Sequence, residues 1–423
     1  MDQKPTDPGR QQHIFIVGAK SVGQYGGFEA FLAELIRQHR DGGQFRYTVT
    51  VKANGYGCMD ESALDGVTRE DKNVFIWQGA RIVKLPVPQI GSAQAVSLDL
   101  KGLSWCLRCC ETQGITAPVF YLLACRVGPF LGHYARRIHR LGGTLCVNPD
   151  GHEYLRGKWP APVRSYWKLS ERLTVRNADL MVCDSRRIEE YIRETYRKYS
   201  PKTVFIPYGT TLTPSPLGDS DPAFTAWLSE NGLESGEYYM SCSRLVPENS
   251  YEIMLREYMR SKTRRPLVLI TTKDRAYLES LRKKTGFDRD SRIRFVSPVY
   301  DRDLLRKIRE NAFANLHGHT VGGTNPTLLE ALAATKVNLL IDVPFNREVA
   351  QDAALYWTAK PGSLAHLIDE VDDPDRMTDH DRGLLSQKAK DRIRSSYTWE
   401  QVAAQYEHLW DALNNSSLLT PNS

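Results

Sequence analysis

Short apolar runs recur along the chain, separated by stretches of helical period. HIFIVG (13–18), YTVTV (47–51), VFYLLAC (119–125), TLCVNP (144–149), LMVCDS (180–185) and TVFIPYG (203–209) read as buried strands. Between them lie amphipathic patterns such as FEAFLAELIRQH (28–39) and RIEEYIRETYRKY (187–199). A second series follows: YYMSCSR (238–244), PLVLITT (266–272), IRFVSP (293–298), FANLHG (313–318) and VNLLIDV (337–343). Strands alternating with helices predict parallel, doubly wound α/β sheets, and two series predict two such domains.

The seam falls in GTTLTPSPLGDSDP (209–222), rich in Gly, Pro, Ser, Thr and Asp. The expected domains are therefore 13–208 and 209–397. The closing helix TWEQVAAQYEHLWDALNN (398–415) folds back to complete the first. Residues 1–12 and 416–423 are polar and expected to be disordered. Ligands of such sheets bind outside the carboxyl ends of the strands, so a cleft between two facing domains is the expected site.

Composition narrows the class. Of 423 residues, 41% are hydrophobic and 25% charged, as in a globular protein. No apolar run approaches the ~20 residues of a membrane span. The start, MDQKPTDPGRQQ, lacks the apolar segment of a signal peptide, so a cytoplasmic location is expected. A net charge of +6 does not imply nucleic acid, but permits an acidic partner or an anionic membrane surface. Eight cysteines, expected to be reduced, are scattered through apolar segments. Cys106, Cys109 and Cys110 in WCLRCC fit an apolar helix better than a zinc site, because no second cluster follows.

Four stretches could carry chemistry. In IVGAKSVGQYGGFEAF, Gly23, Gly26 and Gly27 separate a strand from a helix without the dinucleotide spacing. They form either a flexible loop or a backbone that comes close to a sugar or phosphate. In VNPDGHEYLRGKW, Asp150, His152 and Glu153 could hold a hydroxyl or move a proton, or Asp-Gly could simply turn the chain. Basic and aromatic residues interleave downstream, from Arg156 to Arg172, and HYARRIHR (133–140) adds charge. That face suits anionic lipid or plain solvent. In SCSRLVPENS, Arg244 could pair with a diphosphate.

The fourth stretch is HGHTVGGTNPTLLEALAA (317–334). Asn325 is a good N-cap and Pro326 suits the first helical position. Gly322 and Gly323 allow close approach, and a helix N-terminus favours phosphate. Donors are then expected from Thr324, Asn325, Thr327 and Leu328. Glu330 could accept from a ribose diol or stand as a helix-dipole acid.

YGGFE (25–29), NPDG (148–151), VPEN (246–249), VYD (299–301), HGHTVGGTNPTLLEAL (317–332) and FNREVA (345–350) occur in this order. Together they resemble the bacterial rhamnosyltransferases of the GT-B, family-4 glycosyltransferase type that build cell-surface polysaccharides. The likeness runs from about His13 to Trp410. It implies a retaining, metal-independent transfer from a nucleotide-diphosphate sugar, dTDP-L-rhamnose, to a lipid-diphosphate-linked saccharide at the inner membrane face. It also implies a donor site of Arg244, Asn249, Gly322, Gly323, Thr324, Asn325, Thr327 and Glu330, with Gly26 and Gly27 closing on the phosphates. On the acceptor side it implies Tyr25, Glu29, Asp150 and Glu153. Asp150 orients the acceptor, His152 is the second choice for that role, and Arg244 takes the leaving charge.

Three positions depart from the family pattern. Asn249 stands for a lysine, Gly322 for the first of two glutamates, and Thr320 for a glutamate of related rhamnosyltransferases. Lys20 and Lys273 are candidate substitute cations. A GT-B transferase using another donor, such as a UDP-hexose, and a catalytically impaired nucleotide-sugar-binding protein remain as alternatives. A sugar-nucleotide epimerase of similar architecture is more remote.

Overall fold

The computed structural model describes residues 11–24, 26–157, 159–272 and 274–414. They divide into two compact units. The first takes 11–24, 26–154, 159–208 and 399–414, and the second takes 155–157, 209–272 and 274–398.

The first unit is built on nine strands: β1 (Gln12–Val17), β2 (Phe45–Lys52), β3 (Thr68–Asp71), β4 (Val74–Trp77), β5 (Ala80–Leu85), β6 (Val119–Leu123), β7 (Thr144–Asn148), β8 (Leu180–Cys183) and β9 (Thr203–Phe205). Their order is β3-β4-β5-β2-β1-β6-β7-β8-β9. All neighbours pair in parallel except at β4, which runs antiparallel to both β3 and β5. β1 starts at Gln12, inside the segment expected to be disordered, because the Gln12 N–H donates to Gln44 O at 3.0 Å. β6 and β7 are buried at every position, as strands covered on both faces must be.

The helix Trp399–Asn414 packs within this unit. Its apolar face carries Tyr406 and Trp410 against Tyr121 of β6. The two tyrosine hydroxyls lie 2.8 Å apart, and the Trp410 ring meets Tyr121 edge-on at 5.6 Å. Trp410 Nε1 donates to Tyr47 Oη of β2 at 3.0 Å, so its buried polar atom has a partner.

The second unit holds β10 (Tyr239–Cys242), β11 (Leu267–Ile270), β12 (Ile293–Val296), β13 (Ala314–His317), β14 (Asn338–Ile341) and β15 (Leu355–Trp357). The sheet is parallel throughout, in the order β12-β11-β10-β13-β14-β15. Tyr239 of β10 joins one core and Met240 the other, so the sheet is covered on both sides.

Along the parallel strands each order has one reversal: between β1 and β6 in the first unit, and between β10 and β13 in the second. Loops leaving strands at such a point diverge to opposite faces and leave a crevice.

Candidate functional site

In the first unit the loop after β1 is fixed by backbone geometry. Gly18 has φ 117°, and a Cβ there would lie 2.6 Å from Leu123 O. Only glycine fits both constraints. Glu29 closes the loop: its Oε1 accepts from the Lys20 N–H at 3.2 Å and its backbone oxygen from the Gly23 N–H at 3.0 Å. Gly26 lies beneath the same carboxylate, with φ 156°. Glu29, expected at the acceptor, thus shapes the loop. Gly27 begins the helix Gly27–His39, is exposed, and has nothing within 4 Å of a Cβ position. Tyr25 lies outside the described residues, as does Lys273. Lys20 is exposed.

Sequence reasoning missed Arg126. It follows β6, across the reversal from Gly18. Its Nη1 donates to Gly18 O at 2.9 Å and Leu123 O at 3.0 Å, and pairs with fully buried Asp99 at 3.3 Å. Burial pushes the Asp99 carboxyl up to about 6, against the pull of Arg126. Burial works against the Arg126 charge, but Asp99, Asp150 and Glu153 outweigh it. Arg126 therefore ties the β1 loop to the end of β6 and to Asp99. A lone arginine after a strand gives no sequence signal; its pairing depends on an aspartate 27 positions away.

After β7, the Asp150 N–H donates to Asn148 Oδ1 at 2.7 Å, which holds Asp150 at φ 60°. His152 stands edge-on to the Tyr191 ring at 4.3 Å. Burial lowers its pKa and Lys168 adds to that, while Glu171 opposes it. Glu153 Oε1 accepts from Trp159 Nε1 at 2.8 Å. Much of the basic-aromatic stretch works inside the unit. Tyr166 Oη donates to Arg126 O at 2.7 Å, and Arg164 Nε to Tyr154 O at 2.9 Å. Lys168 lies over the rings of Tyr154, Tyr191 and Tyr196 beside Glu171. Cys106, Cys109 and Cys110 sit on the helix Gln94–Gln113 as buried apolar residues.

In the second unit, the loops after β10 and β13 are knotted together. Asn249, where the resembling family has lysine, is buried. Its Nδ2 donates to Arg244 O at 2.6 Å, and its Oδ1 lies 2.7 Å from His319 Nδ1. Thr320 donates through N–H and Oγ1 to Glu248 O at 2.9 and 3.0 Å. Buried Asn346 donates to His319 O at 3.2 Å and Ile341 O at 2.9 Å. Three motifs far apart in sequence therefore fix one loop pair. The Arg244 side chain is exposed and, among the described residues, has no carboxylate at ion-pair distance.

Asn325 caps the helix Pro326–Ala334. Its Oδ1 accepts from Thr327 N at 2.9 Å and Thr327 Oγ1 at 2.8 Å, and its backbone oxygen from Leu328 N at 3.1 Å. The Thr327 and Leu328 amides, expected as phosphate donors, are taken by the cap. Ahead of the positive helix end, Gly323 and Asn325 are the residues that can still present N–H groups. Gly322 has φ 133°. Glu330 Oε2 pairs with Arg309 Nη2 at 2.6 Å; Arg309 is buried, while the Glu330 side chain is 45% exposed. Arg309 comes from the helix Arg302–Glu310 and also touches Cys242, at the end of β10.

A cation, a helix N-terminus and an open carboxylate thus stand at one sheet reversal. The chain aligns with the sucrose-phosphate synthase of Thermosynechococcus elongatus over 96% of its length and 100% of that chain, with TM-score 0.71 and 16% identity. The fold is GT-B. The chain is also similar to Anabaena HepE in complex with UDP-glucose (TM-score 0.66, 13% identity, 95% of this chain and 100% of that chain). A third GT-B structure is the UDP-forming α,α-trehalose-phosphate synthase of Burkholderia vietnamiensis (0.67, 13%, 97% and 100%). A family described as a domain of unknown function (DUF1972) matches residues 11–211. No curated protein sequence matches.

Proposed function

We propose that this GT-B protein is a glycosyltransferase that takes its sugar from a nucleotide diphosphate, with the donor on the second unit. The observation that carries the reading is the reversal between β10 and β13, with exposed Arg244, the capped helix at Asn325 and half-exposed Glu330 at it. Neighbours of the same fold captured with UDP-glucose, or named as UDP-forming, support a nucleotide-sugar donor.

The finer assignment is transfer of L-rhamnose from dTDP-L-rhamnose to a lipid-diphosphate-linked saccharide, with retention and without a metal. It follows the ordered motifs from YGGFE to FNREVA. As the bond to the sugar breaks, the leaving diphosphate gathers negative charge. Within the second unit, Arg244 and the Gly323 and Asn325 amides stabilise it. Loss of one such donor typically costs ~10²–10³ in rate. A phosphate oxygen takes the acceptor proton on the face it leaves, which gives retention. Asp150, held at φ 60°, orients the acceptor hydroxyl. His152, kept neutral chiefly by burial, is the second group for that role.

A surface of the first unit supports the lipid part of this reading. A cavity of about 640 Å³ between the helices Gly128–Arg140 and Ala161–Asn177 is lined by Phe130, Tyr134, Arg136 and Arg176. It shares Leu100 and Tyr134 with one of about 370 Å³ that adds Lys101, Trp105 and Arg108. Aromatic and basic side chains together suit an anionic lipid interface at the inner membrane face. No helix among the described residues is long and apolar enough to cross a membrane.

The test is a donor panel of dTDP-rhamnose, UDP-glucose and GDP-mannose with a lipid-linked acceptor, scored by product mass. Rhamnosyl product from dTDP-rhamnose alone supports the assignment; hexosyl product from UDP-glucose replaces it with a UDP-hexose transferase. A second reading, a nucleotide-sugar-binding protein without turnover, is favoured by Asn249 and Gly322 at two positions where the family carries charge. Tight binding with no product from any donor would select it.

A further inference from the structure

Asn249 leaves the donor site one cation short of the family pattern. We propose that His319 supplies that charge by taking up a proton from solvent when the nucleotide sugar binds. The proposal rests on the nucleotide-sugar reading above.

The hydrogen bonds fix the ring's protonation. Arg244 O can only accept, so the Asn249 atom 2.6 Å from it is the amide nitrogen. The other end of Asn249 is then an oxygen, 2.7 Å from His319 Nδ1. Nδ1 must carry a hydrogen, so in the neutral ring Nε2 is bare. Nε2 faces the glycine loop: a Cβ built on Gly322 would stand 3.4 Å from it. The main chain beside the ring is pinned by Asn346 at His319 O and by Thr320 at Glu248 O. The imidazole is therefore held through Nδ1 by Asn249, with Nε2 on the side of the loop that precedes the capped helix and the Val321 carbonyl also in reach of the ring.

The charges around the ring are both guanidinium groups. Burial first, then Arg156 and Arg244, push the His319 pKa down to about 4, while the Val321 carbonyl favours the charged form. His317, 6.3 Å away, is itself neutral, pushed down to about 3. A diphosphate between Arg244 and the glycine loop would cancel the positive field and offer an acceptor to an Nε2–H. Both changes favour imidazolium. The site would then gain this third positive charge only when the anion is present, and the empty loop would be spared its repulsion.

The experiment is isothermal titration calorimetry of the full chain with dTDP-glucose and UDP-glucose, in two buffers of different ionisation enthalpy. A sugar-esterified diphosphate lacks the second phosphate ionisation near pH ~6, so the ligand itself contributes no proton. The expected result is uptake approaching one proton per nucleotide sugar bound, with affinity falling as pH rises from about 6 to 8. His319→Gln should abolish the uptake and bind ~10-fold more weakly near pH ~6.5. Binding without proton uptake in the unaltered protein, or uptake that persists in His319→Gln, overturns the role of His319 and leaves the donor reading standing. Binding of neither nucleotide sugar overturns both.

Discussion

The carboxylate of Glu330 is held at 2.6 Å by the guanidinium of Arg309, which is buried while Glu330 is not. One carboxylate oxygen is anchored by the buried guanidinium, while the Glu330 side chain stays partly exposed. That is how a helix rich in leucine can carry an acid near its start: the charge is neutralised from beneath rather than buried unpaired. Glu330→Ala should strand the arginine and destabilise the second unit by about 2–4 kcal/mol in urea unfolding. Glu330→Gln keeps shape and an acceptor, and should cost under about 1 kcal/mol. In dTDP the sugar ring offers one hydroxyl, in UDP two. Glu330→Gln should therefore weaken UDP more than dTDP, by roughly tenfold for each lost charged hydrogen bond. Equal, small effects on both nucleotides would remove Glu330 from the ribose site.

Arg244 should behave differently, because its side chain supports nothing in the fold. Arg244→Ala is expected to leave stability within about 0.5 kcal/mol, while transfer falls ~10²–10³-fold. The readout is kcat/KM with dTDP-rhamnose beside a denaturation curve. An unchanged transfer rate would count decisively against the donor site argued above.

The strands were legible where both faces are buried, as in VFYLL and TLCVN, because short runs bounded by Gly and Pro and rich in β-branched or aromatic residues favour a strand over a helix. The β3–β5 segment was not legible. All four residues of β3, TRED, are exposed, so the strand carries no apolar pattern and exists only through pairing with β4. β15 has three residues, too few to show a period. In the site, the Asn325 cap could be read because capping is local. Arg126 and Arg309 could not, since each is defined by a partner distant in sequence, Asp99 and Glu330. The roles of Thr327 and Leu328 were misread for a related reason: a strong cap takes up the amides that a bare helix end would offer.

Gly18 and Gly27 make a matched pair of tests. Alanine at Gly18 would combine φ 117° with a contact of 2.6 Å to a backbone oxygen that cannot move without disturbing β6. Gly18→Ala should cost about 2–4 kcal/mol. Alanine at Gly27 meets nothing within 4 Å at the first position of a helix, and should be neutral or stabilise by up to about 1 kcal/mol. If a phosphate or sugar approaches that backbone, Gly27→Ala will lower activity while stability holds. Full activity in Gly27→Ala would take this backbone out of the site.

Acid should weaken the second unit through its histidines. Burial, with the charge of His319 second, pushes His317 down to about 3, whereas an ordinary histidine takes its proton near 6.5. Below that pH the unfolded chain binds a proton that the folded chain refuses. The stability due to neutral His317 is thus complete above about pH 6.5 and is lost as pH falls, by up to ~1.4 kcal/mol per pH unit. His319 acts in the same direction down to about 4. Asp99 acts oppositely: its carboxyl, pushed up to about 6 by burial, loses stability as pH rises from about 4 to 6. A comparison of parent and His317→Asn cancels the Asp99 contribution. Urea unfolding at about pH 7.5, 5.5 and 4.5 should give the variant a shallower slope, by close to one proton. Identical slopes would mean that His317 is protonated in the folded protein.

The basic lining of the helical face makes the membrane reading testable apart from catalysis. Among the described residues, none of Lys101, Arg108, Arg136 and Arg176 has a carboxylate partner at ion-pair distance. By contrast, nearby Arg137 pairs with Glu111 at 2.6 Å and His139 with Asp179 at 2.9 Å. Lys101 Nζ donates to Pro86 O at 2.7 Å and Arg136 Nε to Gly132 O at 3.2 Å, which leaves their charges uncancelled; beside half-exposed Phe130 they make a positive, partly apolar surface. Each such cation near an anionic bilayer contributes ~1 kcal/mol, so reversing two should lower partition by well over tenfold at low salt. The measurement is co-sedimentation of the full chain with phosphatidylglycerol-containing and with purely zwitterionic vesicles, comparing the parent with Arg136→Glu/Arg176→Glu. Salt-sensitive binding to the anionic vesicles that the double variant loses would support the surface. Neither residue belongs to the donor site, so transfer to a short, water-soluble acceptor should survive the change. Equal binding by parent and variant would locate any membrane contact elsewhere.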